Sequence, residues 1–292
     1  MRCLYNDIDG YLVLLVVRDD AIWLYVQESS RFSPLLIKDN IPNKVMSFFI
    51  SDFDSDGDLD VYAESKHTEE SNLLLINEQG SYQVIDPTQI GLPGKGIGAS
   101  WVDYDNDGLY DFYIAPYGLF HQTYNSHFEA TGLMDNHLYT SKVVGARSAW
   151  SDFDNDGYRD LLAVTKQTPP LHIRLLNKLP KVNLNRNWQK VWLTKLYHNN
   201  FNANHWLEVD LSTPSGNSQA IGARVTVTTD QIRQMQVVGG AESSYFSQGH
   251  YRLYFGLGKY TKAKSIEIVW PDGQMQTLDN ISADQLWQVE KA

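Results

Sequence analysis

A nine-residue motif that occurs three times, called the Asp phrase below, constrains the fold of this chain more than any other feature. The copies have the form Asp-x-Asp-x-Asp-Gly-x-x-Asp and occupy residues 52–60, 103–111 and 152–160. So many carboxylates in one short segment repel one another unless a cation lies among them. Alternating carboxylate oxygens suit a hard divalent cation, and the glycine allows the sharp turn that such a loop needs. The phrase therefore predicts three metal-binding loops.

The segments around the phrase decide which kind of metal loop is expected. An EF-hand loop shares the first half of this pattern, but it needs a bidentate Glu at position 12 and a helix on each side. Position 12 is Ala63, Ile114 or Ala163 in this chain. The flanking segments are short and rich in β-branched and aromatic residues, which indicates strands. We therefore expect tight turns between strands. Acidic turns without an ion are the alternative, although a turn needs one or two Asp or Asn residues, not four at fixed offsets.

The predicted ligands are the side chains at positions 1, 3, 5 and 9 of each phrase and the carbonyl at position 7. They are Asp52, Asp54, Asp56, Asp58 and Asp60, then Asp103, Asp105, Asp107, Leu109 and Asp111, then Asp152, Asp154, Asp156, Tyr158 and Asp160. Many oxygens with loose geometry favour calcium over magnesium. No Cys or His accompanies these carboxylates in the sequence, which argues against zinc. We expect about three structural calcium ions whose binding is coupled to folding.

Charge and composition exclude several classes of protein. The formal net charge is −11, and thirteen acids lie in the three phrases, so three divalent ions would leave about −5. No basic stripe is present, which argues against a nucleic-acid partner. The longest apolar run, residues 11–17, is too short to span a bilayer, and no transmembrane segment is expected. No signal peptide is visible, so either the chain stays inside the cell or a leader has been removed. Cys3 is the only cysteine, which excludes an internal disulfide.

The repeat period predicts the fold. The phrase glycines and a reduced first copy are 47, 51 and 49 residues apart, at Gly10, Gly57, Gly108 and Gly157. Each repeat carries about four strand signals, which in the second repeat are 45–50, 59–63, 72–76 and 81–85. Small residues such as Gly98-Ala99-Ser100 precede the phrases and suit innermost strands crowded around an axis. Four-stranded units at this period predict β-propeller blades, with tandem hairpins in a sandwich as the alternative.

A change of composition predicts a second domain. The stretch 177–188 holds few apolar residues, and we place the boundary so that residues 1–180 form the repeats and 181–292 a small all-β domain. The strand signals of this second domain are 206–211, 223–228, 234–238, 251–255, 265–270 and 286–289. The overall prediction is an all-β chain with a partial or small β-propeller of about four blades and a C-terminal β domain.

Both regions resemble known families. The segment Asn72-Leu73-Leu74-Leu75-Ile76-Asn77-Glu78-Gln79-Gly80-Ser81-Tyr82, which follows an Asp phrase, resembles an FG-GAP or VCBS repeat, the calcium-loop blade of integrin-α-type propellers. Four landmarks of the second domain resemble the ASPIC/UnbV domain, which follows FG-GAP repeats in the cartilage acidic protein family and its bacterial relatives. The landmarks are Asn204-His205-Trp206-Leu207, Ala220-Ile221-Gly222-Ala223-Arg224-Val225, Phe255-Gly256-Leu257-Gly258 and Val269-Trp270-Pro271-Asp272-Gly273.

The chain departs from this family in the number of repeats. Members usually carry a propeller of close to seven blades, often with a signal peptide, whereas about four repeats are visible here. Four blades of a larger ring would leave two unpaired sheet edges, which invite self-association. A fragment, a smaller closed ring and an arc completed by a partner are the alternatives, and the sequence leaves all three open.

We predict a non-catalytic scaffold for binding or adhesion that presents loops to a protein or glycan ligand. The resemblance implies an extracellular or cell-surface setting. Millimolar calcium would fill even weak sites there. The alternative is a calcium-dependent enzyme, similar to a polysaccharide lyase or to a small-molecule cyclase or hydrolase, with a His/Tyr loop in the third repeat. Its candidate catalytic residues are His121, His127, His137 and Tyr139. They are otherwise ordinary polar residues of a long loop between strands. A deep pocket of basic and aromatic residues there would favour the enzyme, and a shallow, wet face would favour the scaffold.

Overall fold

The described part of the chain is built from strands. The computed structural model describes residues 2–5, 12–18, 20–28, 31–41, 45–66, 70–124, 126–133, 143–167, 191–201, 203–214, 216–240 and 251–291. These residues form 22 β-strands in six sheets and one short 3-10 helix, Pro87–Ile90, with no α-helix among them. The prediction of an all-β chain is therefore confirmed.

The N-terminal region contains four sheets, and in each the hydrogen-bonded neighbours are consecutive strands. The first sheet contains β1 (Arg2–Tyr5), β2 (Leu12–Arg18), β3 (Ala21–Glu28) and β4 (Arg31–Lys38). The second contains β5 (Val45–Ser51), β6 (Asp60–Ser65), β7 (Leu73–Glu78) and β8 (Ser81–Ile85). The third contains β9 (Ile97–Val102), β10 (Asp111–Ala115), β11 (Gly118–Thr123) and β12 (His127–Ala130). The fourth contains β13 (Val143–Ser151), β14 (Asp160–Gln167) and β15 (Val191–Tyr197). Antiparallel meanders repeated in this way are typical of propeller blades.

Aromatic side chains fill the space between the second and third sheets. The ring of Trp101 stacks on that of Phe53 with centroids 5.3 Å apart, and the rings of Tyr62 and Phe112 lie 4.6 Å apart. All four side chains are buried, so each contributes a large apolar area to this core. Phe53 belongs to an Asp phrase, and its burial ties that loop to the core.

The innermost strands of the third and fourth sheets approach closely. A Cβ atom added to Gly98 in β9 would lie 2.7 Å from the Cβ of Ala146 in β13. The hydroxyl of Ser148 donates a hydrogen bond to the carbonyl of Gly98 at 3.2 Å. Small residues are therefore required here, which is the reason for the small-residue runs before the Asp phrases.

The C-terminal region is a sandwich of two sheets. One contains β19 (Leu253–Gly258), β16 (His205–Ser212) and β22 (Gln285–Glu290), in that order. The other contains β18 (Arg233–Val237), β17 (Arg224–Thr228), β20 (Lys262–Val269) and β21 (Met275–Ser282), in that order. Alternate residues of both sheets, among them Leu207, Phe255, Val225 and Ile266, form one buried apolar core.

Some of the sequence-based boundaries need correction. The six strands predicted for this region are present, but β21 was missed. The predicted domain boundary at residues 180 and 181 lies outside the described residues, as does the reduced repeat around Gly10. Beyond that boundary, β15 pairs with β14 over seven residue pairs, from Leu161 with Tyr197 to Gln167 with Val191. The fourth sheet of the repeats therefore includes a strand from the C-terminal side of the predicted boundary.

The outermost sheets expose apolar side chains in the part of the chain that the structure describes. The exposed residues are Phe32, Leu35 and Leu36 on β4, and Trp192, Leu193 and Leu196 on β15. Self-association through open sheet edges remains a prediction, and these two strands are where it would act.

Candidate metal loops

The three Asp phrases form three loops with the same backbone. The first loop (52–60) joins β5 to β6, the second loop (103–111) joins β9 to β10, and the third loop (152–160) joins β13 to β14. The residue at position 4 is left-handed in each, with φ of 62° at Ser55, 58° at Asn106 and 59° at Asn155. The glycine at position 6 has φ between 90° and 98°, which is why glycine is needed there. Strands flank every loop, so the EF-hand is excluded for these phrases.

Hydrogen bonds inside the loops repeat as well. The first Asp accepts from the backbone N–H of the glycine at 3.2, 3.0 and 2.8 Å, in the pairs Asp52 with Gly57, Asp103 with Gly108 and Asp152 with Gly157. The Asp at position 5 accepts from the N–H at position 7 at 2.8 Å in all three, in the pairs Asp56 with Asp58, Asp107 with Leu109 and Asp156 with Tyr158. The backbone thus folds around the carboxylates and turns their remaining oxygens together.

The last Asp of each loop attaches the loop to the third strand of its own sheet or to the residues just after it. One oxygen accepts from the N–H at position 2 of the loop, at 3.1 to 3.3 Å. The other oxygen accepts from a backbone N–H at 2.8, 2.8 and 2.7 Å, in the pairs Asp60 with Asn77, Asp111 with Gln122 and Asp160 with Asn199. This Asp is therefore a structural anchor in addition to a candidate ligand.

The anchoring residues also connect successive loops. The side-chain amide of Gln122 donates to the carbonyl of Phe53 in the first loop at 3.0 Å. The amide of Asn199 donates in the same way to the carbonyl of Tyr104 in the second loop at 2.6 Å. The third and fourth sheets thus each hold the loop of the preceding sheet. Neither residue was among the predicted site residues, because Gln122 and Asn199 follow the last Asp of their loops at different distances, 11 and 39 residues.

Carboxylate oxygens converge in all three loops. Oxygens lie within 4.8 Å of one another in the sets Asp52, Asp54 and Asp60; Asp103, Asp105 and Asp107; and Asp152, Asp154 and Asp160. Asp105 and Asp111 lie together in a further set, and Asp154 and Asp156 lie together in another. The carboxylate of Asp58 belongs to none of these sets, and its Oδ2 accepts from the N–H of Gln79 at 2.6 Å. The predicted carbonyl ligands of Asp58, Leu109 and Tyr158 remain predictions.

The pKa values of these carboxyls show the cost of placing them together. Burial, with the negative charge of Asp54, raises the pKa of Asp60 to about 9. Burial also raises the pKa of Asp111 to about 7, although a hydrogen bond with His121 opposes the rise. The pKa values of Asp54 and Asp107 are each raised to about 6, by burial first and by a neighbouring Asp second. A doubly charged cation would remove this penalty, so the donor set fits a hard divalent ion.

Histidine accompanies two of the three loops, contrary to the prediction that none does. The Nδ1 atom of His121 lies 3.1 Å from Asp111 Oδ1 and 3.6 Å from Asp105 Oδ2. The Nε2 atom of His198 lies 2.8 Å from Asp154 Oδ2. Strand register makes these positions equivalent, and Ile76 occupies the same position beside the first loop. Imidazole nitrogens are therefore available to a zinc ion at two loops, whereas the excess of carboxylate oxygens still favours a hard ion.

Two of the three candidate catalytic histidines, those that the structure describes, belong to strands and not to a long loop. His121 lies in β11 and His127 in β12, where the ring of His127 lies against Gly91. His137 and Tyr139 lie outside the described residues. An open cavity of about 400 Å³ near the second and third loops has a mostly apolar and aromatic lining, which includes Trp150 together with Arg159 and His198 but not His121.

Fold and loops together define a class. Repeated four-stranded meanders with an Asp loop after the first strand, followed by a β-sandwich, make this a β-propeller-type repeat protein with a C-terminal β domain. Residues 52–114 match the family model described as FG-GAP-like repeat, and residues 213–292 match the model described as ASPIC and UnbV. The chain therefore carries an FG-GAP-like repeat followed by an ASPIC and UnbV domain, as the sequence motifs predicted. No curated protein matches the chain.

Two further findings bear on the setting of the protein. FG-GAP repeats are typical of extracellular or cell-surface proteins. None of the helices in the described part of the chain has the length and apolar character that crossing a membrane requires.

Proposed function

We propose that this protein is a calcium-binding, non-catalytic scaffold whose repeats present a protein- or glycan-binding surface in an extracellular or cell-surface setting. Three calcium ions stabilise it, one in each Asp loop. Position 1, 3, 5 and 9 carboxylates and the position 7 carbonyl hold each ion, which locks the turn between two strands.

One observation carries the proposal. Carboxylates at positions 1 and 3 converge in all three loops, together with position 9 in the first and third loops and position 5 in the second. The loops also have nearly the same backbone φ angles and the same internal hydrogen bonds. A catalytic site would normally occur once, whereas a structural site repeats with the unit that it stabilises. The repetition therefore supports structural ions over a catalytic cluster.

Calorimetric titration with calcium tests the ion sites. We expect three ions per chain in the wild type and two in each of the variants Asp54→Ala, Asp105→Ala and Asp156→Ala, because each removes a carboxylate from a different loop. The matched control is Asp279→Ala, which removes an exposed Asp in β21 and leaves three ions. Three ions in all the loop variants would contradict the ligand assignment, and no binding heat in the wild type would contradict calcium.

A ligand screen tests the scaffold. Glycan arrays and pull-downs are performed with calcium and again with EDTA, and we expect a ligand that is retained only with calcium because the ions fix the loop surfaces. Turnover of a retained glycan or peptide by the wild type would instead favour the enzyme.

A further inference from the structure

The C-terminal domain lies directly on the second and third loops. The side-chain amide of Asn204 donates to the carbonyl of Asp105 at 2.9 Å, and the N–H of Gly258 donates to the carbonyl of Asn106 at 2.8 Å. The hydroxyl of Tyr158 in the third loop donates to the carbonyl of Asn204. Backbone carbonyls at positions 3 and 4 of the second loop are thus hydrogen-bonded to the other domain.

Glycines bring the two domains into direct contact. A methyl group on Gly256 of β19 would overlap the carboxylate of Asp103, the first Asp of the second loop. A methyl group on Gly157 of the third loop would overlap the indole of Trp206 in β16. The C-terminal domain therefore contacts the parts of both loops that surround the candidate ion sites. The contact is too close for any side chain at these two glycine positions.

Charged groups of both domains are buried at the same contact. The guanidinium of Arg159 donates to the carbonyl of Asp103 at 2.8 Å and lies over the ring of Tyr254, 5.3 Å from its centroid. Glu208 is 4% exposed and accepts from Arg252 at 2.8 Å. Both domains therefore contribute buried charged side chains to this contact.

The first loop meets the domain less tightly. A Cβ on Gly57 would lie 3.3 Å from Nη1 of Arg233, which is the far end of a flexible side chain. The first loop therefore provides an internal comparison for the other two.

We propose that the second and third loops are the joint between the two domains, and that a divalent cation bound in them fixes the ASPIC and UnbV domain on the repeats. This inference rests on the proposed function of the loops as ion sites. Without the ion, mutual repulsion opens the loop and displaces the carbonyls of Asp105 and Asn106 from their partners. Because linkage is reciprocal, the docked domain also raises the affinity of the second loop for the ion.

Distance measurements between spin labels test the joint. The labels are attached to Ser81→Cys and Gln274→Cys, both exposed and one in each domain, with Cys3 replaced by Ser. We expect a narrow distance distribution in calcium and a broad one in EDTA. Asp105→Ala broadens the distribution even in calcium, whereas Asp54→Ala in the first loop leaves it narrow.

A variant on the other side of the joint tests the reciprocal effect without removing a ligand. Asn204→Ala removes the hydrogen bond to the second loop, and we expect three bound ions with one affinity lowered about fivefold, which corresponds to one ordinary hydrogen bond. Asn217→Ala is the matched control, since it removes a 2.7 Å hydrogen bond to the carbonyl of Ile221 within the same domain. Its calcium affinities stay at the wild-type values.

The outcomes separate the two proposals. Loss of one ion in Asp105→Ala with an unchanged distance distribution, or equal affinities in Asn204→Ala and Asn217→Ala, would overturn the joint while leaving the ion sites intact. An absence of calcium binding in the wild type would overturn the proposed function and the joint together.

Discussion

The second and third loops carry the same phrase and the same internal hydrogen bonds, yet their surroundings differ. Asp105 and Asn106 of the second loop are 7% and 3% exposed, whereas Asp154 and Asp156 of the third loop are exposed. Burial raises the pKa of Asp105, and the charge of His121 opposes the rise. A hydrogen bond with His198 lowers the pKa of Asp154. Two loops with the same Asp and Gly positions therefore give carboxyls at position 3 whose pKa values shift in opposite directions.

The neighbours of each loop explain this difference. The second loop lies against the third, because the amide of Asn106 donates to the carbonyl of Gly157 at 2.9 Å, and it also contacts Asn204 and Gly258 of the C-terminal domain. The third loop belongs to the last of the four N-terminal sheets, and its residues 153–156 are exposed to solvent. The nine residues of the motif therefore determine the backbone shape of the loop, while the packing around the loop determines the pKa values of its carboxyls.

Removal of calcium gives the largest expected effect on stability, because it empties both loops of the comparison. Each site that is filled at a thousand times its Kd adds about 4 kcal/mol to the free energy of unfolding. We expect the wild type to melt at a markedly higher temperature in calcium than in EDTA, as measured by scanning calorimetry. Magnesium serves as the control ion and should give a smaller increase. Equal melting temperatures in calcium and EDTA would show that neither loop is stabilised by this ion.

Glu64 in β6 is a buried carboxyl outside the loops. It therefore shows how far burial shifts a pKa without the neighbouring carboxylates of an Asp loop. Burial raises its pKa from 4.5 to about 7, and a hydrogen bond from the N–H of Ala99 opposes the rise. The folded state therefore keeps a proton that the unfolded state loses, so the contribution to stability is complete below pH 4.5 and is lost as the pH rises through about 7. The loss is up to about 3 kcal/mol.

Glu64→Gln should remove this part of the pH dependence. Denaturant unfolding of the wild type and the variant between pH 4.5 and 8, in saturating calcium, measures the difference. We expect the variant to gain stability relative to the wild type as the pH rises. A constant difference across this range would mean that burial alone does not shift a carboxyl in these sheets.

Neutralising one carboxylate in the second loop and one in the third gives the smallest expected change in stability. It tests directly whether the two loops differ in their electrostatic surroundings. In EDTA, Asp105→Asn relieves buried repulsion, so it should raise the free energy of unfolding by about 1 kcal/mol. Asp154→Asn should give no gain, because the exposed Asp154 is paired with His198. Denaturant unfolding of both variants measures the two values. Equal gains would show that the two loops have the same electrostatic surroundings.

Much of the fold was predictable from local patterns. The signal at 81–85 coincides with β8, and the signal at 206–211 lies inside β16 (His205–Ser212), because polar and apolar residues alternate along 81–84 and 207–211. β21 was missed because Met275–Ser282 is mostly exposed and carries few apolar residues. A half-exposed strand at the edge of a sheet leaves little hydrophobic period to detect.

The sequence by itself determined the three loops, because their internal hydrogen bonds join residues no more than seven positions apart. Only the tertiary structure decided which residues surround them. The N–H groups that anchor the last Asp come 17, 11 and 39 residues later, and the contacts of the second loop with Asn204 span 99 residues. The connections between the strands differ in length from sheet to sheet, yet the folded sheets bring these groups to equivalent positions. Their spacing along the chain therefore does not predict these contacts.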